Sequence, residues 1–206
     1  MSTRTGLRAR RRATAAAALV LAGVLSSVLS ACSTDTFKGT DPGATDVPGL
    51  VMDPTPLPDV ELPGINGAAT QNLADVTGPT LISVWATWCT PCRKEMPVLG
   101  EFAQTHGGVV DVLGINYQDR ADGRAENFMH EVGATYPSLQ DTDGKIDALA
   151  PFPRMKALPF LAVVDAEGRM VGAEFSVITE VSQLETFVEK NLPGVLGATA
   201  PVEETE

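Results

Sequence analysis

The feature that most constrains this chain is a compact apolar run, Thr80-Leu81-Ile82-Ser83-Val84-Trp85-Ala86, that leads almost directly into Cys89-Thr90-Pro91-Cys92. The run is long enough for a buried strand, and the residues after Cys89 predict a helix reaching about His106. Strand, cysteine pair, helix is an order with chemical content. The first cysteine sits at a helix start, where unpaired N–H groups and the helix dipole stabilise a thiolate and lower its pKa. The second lies one turn in, close enough to attack. Cys89 as thiolate would open a partner's disulfide, and Cys92 would resolve the mixed disulfide. Pro91 fixes φ within the loop and removes a donor, which helps to tune the potential.

The pattern on either side predicts one α/β domain over 59–192. Val109–Ile115 reads as a second buried strand followed by a polar loop, and Asp122–Val132 as a helix with Phe128, Met129 and Val132 on its apolar side. Phe160–Val164 and Arg169–Ala173 read as two strands joined by the turn Asp165-Ala166-Glu167-Gly168. Thr179–Asn191 closes the domain as an amphipathic helix with Val181, Leu184, Phe187 and Val188 on one face. This order implies a mixed central sheet with helices on both faces. Asp141-Thr142-Asp143-Gly144 is a turn, because a calcium loop of the EF-hand kind needs its glycine later.

The N-terminus reads as an address. Residues 1–31 have a basic start (Arg4 to Arg12), an apolar stretch from about Ala13 to Leu29, and a small-residue end. Leu29-Ser30-Ala31-Cys32 resembles the bacterial lipobox, which implies that Cys32 receives a lipid and becomes the first mature residue. The competing reading is an uncleaved signal anchor, for which the apolar stretch is short. Arg11-Arg12 lacks the apolar pair of a twin-arginine signal, so general secretion is favoured. Either way the domain is expected outside the cytoplasm, on the cell membrane. Residues 32–58, interrupted by Pro42, Pro48, Pro54, Pro56 and Pro58, read as a flexible tether, and 193–206 as a loose acidic tail. The first 31 residues hold five of the chain's 15 basic residues and none of its 26 acidic ones, so the remainder is more acidic than the net charge of −11 suggests. Such a surface repels phosphate backbones and excludes nucleic acid as a partner. It serves solubility, or attraction of a basic partner. With Cys32 lipidated, the odd count of three cysteines leaves one redox pair.

Taken alone, Cys-x-x-Cys is also half of a zinc site, but the two histidines, His106 and His130, each stand alone, and no metal is expected. The stretch Ser83-Val84-Trp85-Ala86-Thr87-Trp88-Cys89-Thr90-Pro91-Cys92-Arg93-Lys94-Glu95-Met96-Pro97 resembles the active-site segment of the TlpA/ResA/CcmG-type thioredoxin-like family. The resemblance implies a thioredoxin-like fold with an extra N-terminal β-hairpin at Asp59–Leu73, and chemistry that needs no cofactor beyond the Cys89–Cys92 disulfide. It implies that Pro97 bends the active-site helix and that Leu158-Pro159 is the cis-proline site lying against the pair and holding substrate. Glu95 matches an acid that adjusts the thiols in ResA-like members; the bland alternative is a first-turn acid favoured by the dipole. Trp88, Thr90 and Pro91 complete the expected substrate surface. Partners would be protein thiols and disulfides, with electrons from a membrane thiol donor. Two departures stand out. Ser83 replaces the buried aspartate of cytoplasmic thioredoxins, and the approach Ala150-Pro151-Phe152-Pro153-Arg154-Met155-Lys156-Ala157 is long and proline-rich.

The resemblance therefore implies an extracytoplasmic reductase, as in preparing apocytochrome c for haem; an oxidant or isomerase is the alternative. A peroxidase of the Pro-x-x-x-Thr-x-x-Cys pattern is disfavoured by Ile82 and Ala86, and a Sco-type copper chaperone by the Cys-x-x-Cys spacing.

Overall fold

The computed structural model describes residues 50–197 apart from 66, 121 and 122. The predicted leader 1–31, the lipidation site Cys32, the first part of the tether and the end of the acidic tail lie outside the described residues.

The first strand, β1 (Leu50–Pro56), is followed by three two-residue strands, β2 (Glu61–Leu62), β3 (Gly64–Ile65) and β4 (Gln71–Asn72). Next come β5 (Thr80–Trp85), helix α1 (Thr90–His106), β6 (Asp111–Tyr117), helix α2 (Arg124–Val132) and β7 (Ser138–Asp141). The hairpin β8 (Phe160–Val164) and β9 (Arg169–Glu174) leads to helix α3 (Val181–Asn191). Seven strands form one mixed sheet in the order β1-β9-β8-β5-β6-β7-β3. Strands β5, β6 and β7 are parallel, while β8 runs antiparallel beside β5. The short pair β2–β4 is the expected N-terminal hairpin.

The tether ends sooner than the prolines suggest. Leu50–Pro56 pairs antiparallel with β9, with a register shift between Val51 and Thr55. Proline is tolerated on an edge strand because one row of N–H groups is unpaired there. At the other end, Leu192, Val195 and Leu196 pack against the core beyond α3, so the packed chain runs past the expected boundary.

Strand β5 is buried at every residue, and its side chains alternate between two apolar clusters. Leu81 and Trp85 point into a cluster built with Met96, Leu99 and Phe102 of α1, Phe128 and Met129 of α2, and Leu184, Phe187 and Val188 of α3. Ile82 and Val84 point into the other, with Leu57, Leu62, Leu73, Phe152 and Phe160. Both faces are covered, but the expectation of helices on both holds for one only. The crossovers β5–α1–β6 and β6–α2–β7 step the same way across the sheet, so their right-handedness places α1 and α2 on one face. The other face is covered by the segment before β5 and by the turns after β7, where Gly144, Pro151 and Pro153 prevent a helix. Those turns are tied down all the same. Asp141 accepts the N–H groups of Lys145 and Ile146 at 2.7 and 3.1 Å, Phe152 is buried, and Arg154 pairs with Asp147 at 3.1 Å.

Close approach in the sheet fixes Gly114 on β6: a Cβ there would lie 2.8 Å from Trp85 Nε1 and against the Ser138 hydroxyl. Gly114→Ala is expected to destabilise the fold by about 1–3 kcal/mol through overpacking, measured as a lower urea midpoint at unchanged slope; an unchanged midpoint would show that the sheet yields there.

Candidate active site

The reactive pair emerges where β5 ends. Cys89 is the N-cap of α1 with extended backbone (φ −87°, ψ 100°), and its sulfur accepts the N–H of Cys92 at 3.2 Å. A capping sulfur in that place uses one of the unpaired N–H groups of the first turn. Pro91, in the same turn, has no N–H to leave unpaired. The two cysteines are joined in a disulfide, with Cα atoms 5.3 Å apart. Cys92 is fully buried and Cys89 only 4% exposed, while neighbouring Trp88 is 57% exposed. Thr90 is exposed, whereas Trp85 is core, stacked on Phe128 at 5.6 Å.

The loop before Cys89 is held by a residue that sequence reasoning missed. Asp119, buried just beyond β6, accepts the Thr87 N–H at 2.6 Å and the Thr87 hydroxyl at 2.8 Å. Asn116 donates to the same carboxylate at 2.8 Å. A lone aspartate in a polar loop carries no spacing signal; only the β5–β6 register, Trp85 opposite Asn116, brings it to the active-site loop.

The peptide Leu158–Pro159 is cis, and Pro159 is buried at the start of β8. Because Phe160 lies opposite Val84, this proline and the end of β5 share one end of the sheet. Cis peptides also precede Pro79 and Pro151. Pro97 lies inside α1.

Glu95 does not fit the first-turn reading. It sits in the second turn of α1, one turn beyond Cys92, and is fully buried. Neither carboxyl oxygen has a hydrogen-bond partner among the described residues. Burial, and next the negative charge of Glu174, push its pKa up from 4.5 to about 8. The acid therefore holds its proton at neutral pH. Glu174, the last residue of β9, and Tyr136, whose buried hydroxyl is held well above its ordinary range by burial and by Glu95, complete a group that the sequence did not flag. The only hint was a carboxylate directly after the apolar stretch Met170-Val171-Gly172-Ala173. Ser83 is buried in β5 and supplies no carboxylate.

Among the described residues, no three His, Cys, Asp or Glu side chains are grouped to hold a metal ion. His106 instead lies at the far end of α1, 2.9 Å from Glu185. A cleft of about 500 Å³ lined by Thr80, Asp111 and Pro137 also lies at the far end of the sheet, away from the cysteines.

A capped Cys-x-x-Cys, closed as a disulfide beside a cis-proline, can pass two electrons to or from another disulfide, and this fold and site define a thioredoxin-like thiol–disulfide oxidoreductase. The chain belongs to the AhpC/TSA family, whose model matches residues 54–173, within the branch of TlpA/ResA/CcmG-type oxidoreductases. It is 35% identical over 144 residues to the thiol:disulfide interchange protein DsbE of Pseudomonas fluorescens biotype C, covering 65% of this chain and 77% of that protein. It is 26% identical over 152 residues to the thiol-disulfide oxidoreductase ResA of Bacillus subtilis, covering 73% and 76% respectively. In fold it is similar to a DsbF homologue from Corynebacterium diphtheriae, with a TM-score of 0.61 at 24% identity over 74% of this chain and 96% of that one. Oxidoreductases of this family act through their cysteines and need no cofactor.

The buried acid has a consequence for stability. The folded oxidised protein keeps the Glu95 proton up to about pH 8, while the unfolded chain releases it near 4.5. Stability is therefore lost as pH rises through that window, by at most about 1.4 kcal/mol per unit. Glu95→Gln is expected to remove this loss and to exceed the wild type in urea stability at pH 8.5; parallel pH profiles of the two proteins would refute it.

Proposed function

We propose that the protein is an extracytoplasmic, membrane-tethered reductant of specific protein disulfides. The observation that carries the direction is the acidity buried beside Cys92. An oxidant of this chemistry gains its potential from a stabilised reduced form. Here Glu95 and Glu174 offer the Cys92 sulfur no positive charge, and the sulfur is fully buried in an apolar cluster that disfavours its anion. The reduced pair is thereby left less stable and more ready to give up its electrons.

In the forward direction the Cys89 thiolate attacks one sulfur of the partner's disulfide, and the other partner sulfur leaves. Glu95, which rests protonated, sheds its proton and takes that of Cys92, whose sulfur attacks the Cys89 sulfur and releases the second partner sulfur as a thiolate that is protonated by water. Two electrons pass to the partner, and the pair closes. The oxidised state, with its proton on Glu95, is the product of that step. A membrane thiol donor then reopens the pair, and Glu95 returns the proton to the departing Cys92 sulfur. Trp88, Thr90, Pro91, Leu158 and Pro159 form the surface on which the partner's chain lies. Cysteines of apocytochrome c before haem attachment are the proposed substrate class, on the strength of the family resemblance. Lipid on Cys32 supplies the tether. No helix among the described residues is long and apolar enough to cross a membrane.

The midpoint potential of the Cys89–Cys92 pair tests the direction. A value near or below about −250 mV is expected of a reductant, and one above about −180 mV would make the protein an oxidant or isomerase. For the tether, Cys32→Ser is expected to move the expressed protein from the detergent phase to the aqueous phase on partitioning; retention in the detergent phase would point to an uncleaved anchor.

A further inference from the structure

Both oxygens of Glu95 are sealed from solvent and have no hydrogen-bond partner among the described residues. Because Glu95 rests protonated, it must shed its own proton before it takes that of Cys92 and regain one after giving one back, and both steps need a route to solvent. The carboxyl group best placed to supply one is on the sheet. Glu174 lies directly opposite Leu161 in the β8–β9 ladder, so the two side chains share a face. Leu161 belongs to the cluster that holds Cys92 and Met96 of α1 and Phe187 of α3. Glu174 thus projects into the layer where Glu95 is buried. On its other side it lines a cleft of about 310 Å³ with Ser176, Ser182, Thr186 and Lys190, and the last three of these are exposed.

We propose that Glu174 is the relay through which Glu95 exchanges its proton with solvent each time the Cys89–Cys92 pair changes redox state. This rests on the role proposed above for Glu95. When the pair is reduced, Glu95 protonates the departing Cys92 sulfur. The resulting carboxylate takes a proton from Glu174, and water in the cleft restores Glu174. On oxidation each transfer reverses, and no electrons move in either.

The surrounding charges suit the task. Burial raises the Glu174 pKa above its ordinary value, while the Ser176 hydroxyl and the Lys190 ammonium on α3 counter part of that rise. Two raised carboxyls can trade a proton without a steep penalty in either direction. Tyr136 also faces Glu95, but its hydroxyl is held above its ordinary range and stays neutral.

The test uses the full chain, with reduction of the disulfide by dithiothreitol timed by stopped flow from pH 6 to 9 in dilute buffer. Glu174→Gln is expected to slow reduction by about tenfold, and added formate, small enough for the cleft, to restore the rate. Glu174→Asp keeps a carboxyl and is expected to stay near the wild-type rate. A Glu174→Gln protein at the wild-type rate, or one slowed but indifferent to formate, overturns the relay. Glu95→Gln separates the two ideas. If it is slow while Glu174→Gln is not, the Glu95 role stands and the relay falls. If it reduces at the wild-type rate, the Glu95 role falls and takes the relay with it.

Discussion

Strand β5 has neighbours along both edges and apolar layers on both faces, and the site is laid out from the point where it stops. Its parallel bond to β6 brings Asn116 level with Trp85, and with it Asp119, whose carboxylate grips Thr87. Its antiparallel bond to β8 brings Phe160 level with Val84, and with it the cis peptide before Pro159. A chain leaving such a strand has little freedom. Two residues after Thr87, Cys89 caps α1 with its own sulfur. The central strand thus converts sheet register into the position of a disulfide.

Two acids in this domain show what their surroundings decide. Asp165, in the turn between β8 and β9, accepts the N–H groups of Glu167 and Arg169 and the guanidinium of Arg169, and these donors hold its pKa below the ordinary value. Glu95 is buried with no donor among the described residues, and its pKa moves the other way. An acid with a ring of donors serves as structure. One left without them in an apolar layer is costly to keep charged, and it holds its proton instead.

Much of this was legible in the sequence, for physical reasons that also mark where legibility stops. The buried strands β5 and β8 announce themselves as short, mainly apolar runs, α1 by the cysteine pair that opens it, and α3 by its helical spacing. Strand β1 does not, because its prolines read as loop wherever an edge strand is not yet known to exist. Strand β7, Ser138-Leu139-Gln140-Asp141, is too short and polar to stand out. The same limit applies at the site. Cys89, Cys92 and Pro159 belong to local motifs that a linear reading can find. Asp119 and Glu174 matter only through the partners that folding brings them, Thr87 for one and the Glu95 layer for the other. That Glu95 is in the second turn and sealed is a fact of packing, which helical spacing brings near Cys92 without saying how wet it is.

The placement of β1 gives the domain a polarity. Leu50 lies opposite Ala173, next to the end of β9 that carries Glu174, so the chain enters the sheet at the same end as the disulfide and the cis-proline. A domain leashed through the residues before Leu50 would be held by its reactive end rather than its back. The point where the chain joins the sheet and the point where the reactive pair emerges thus share one rim of the domain.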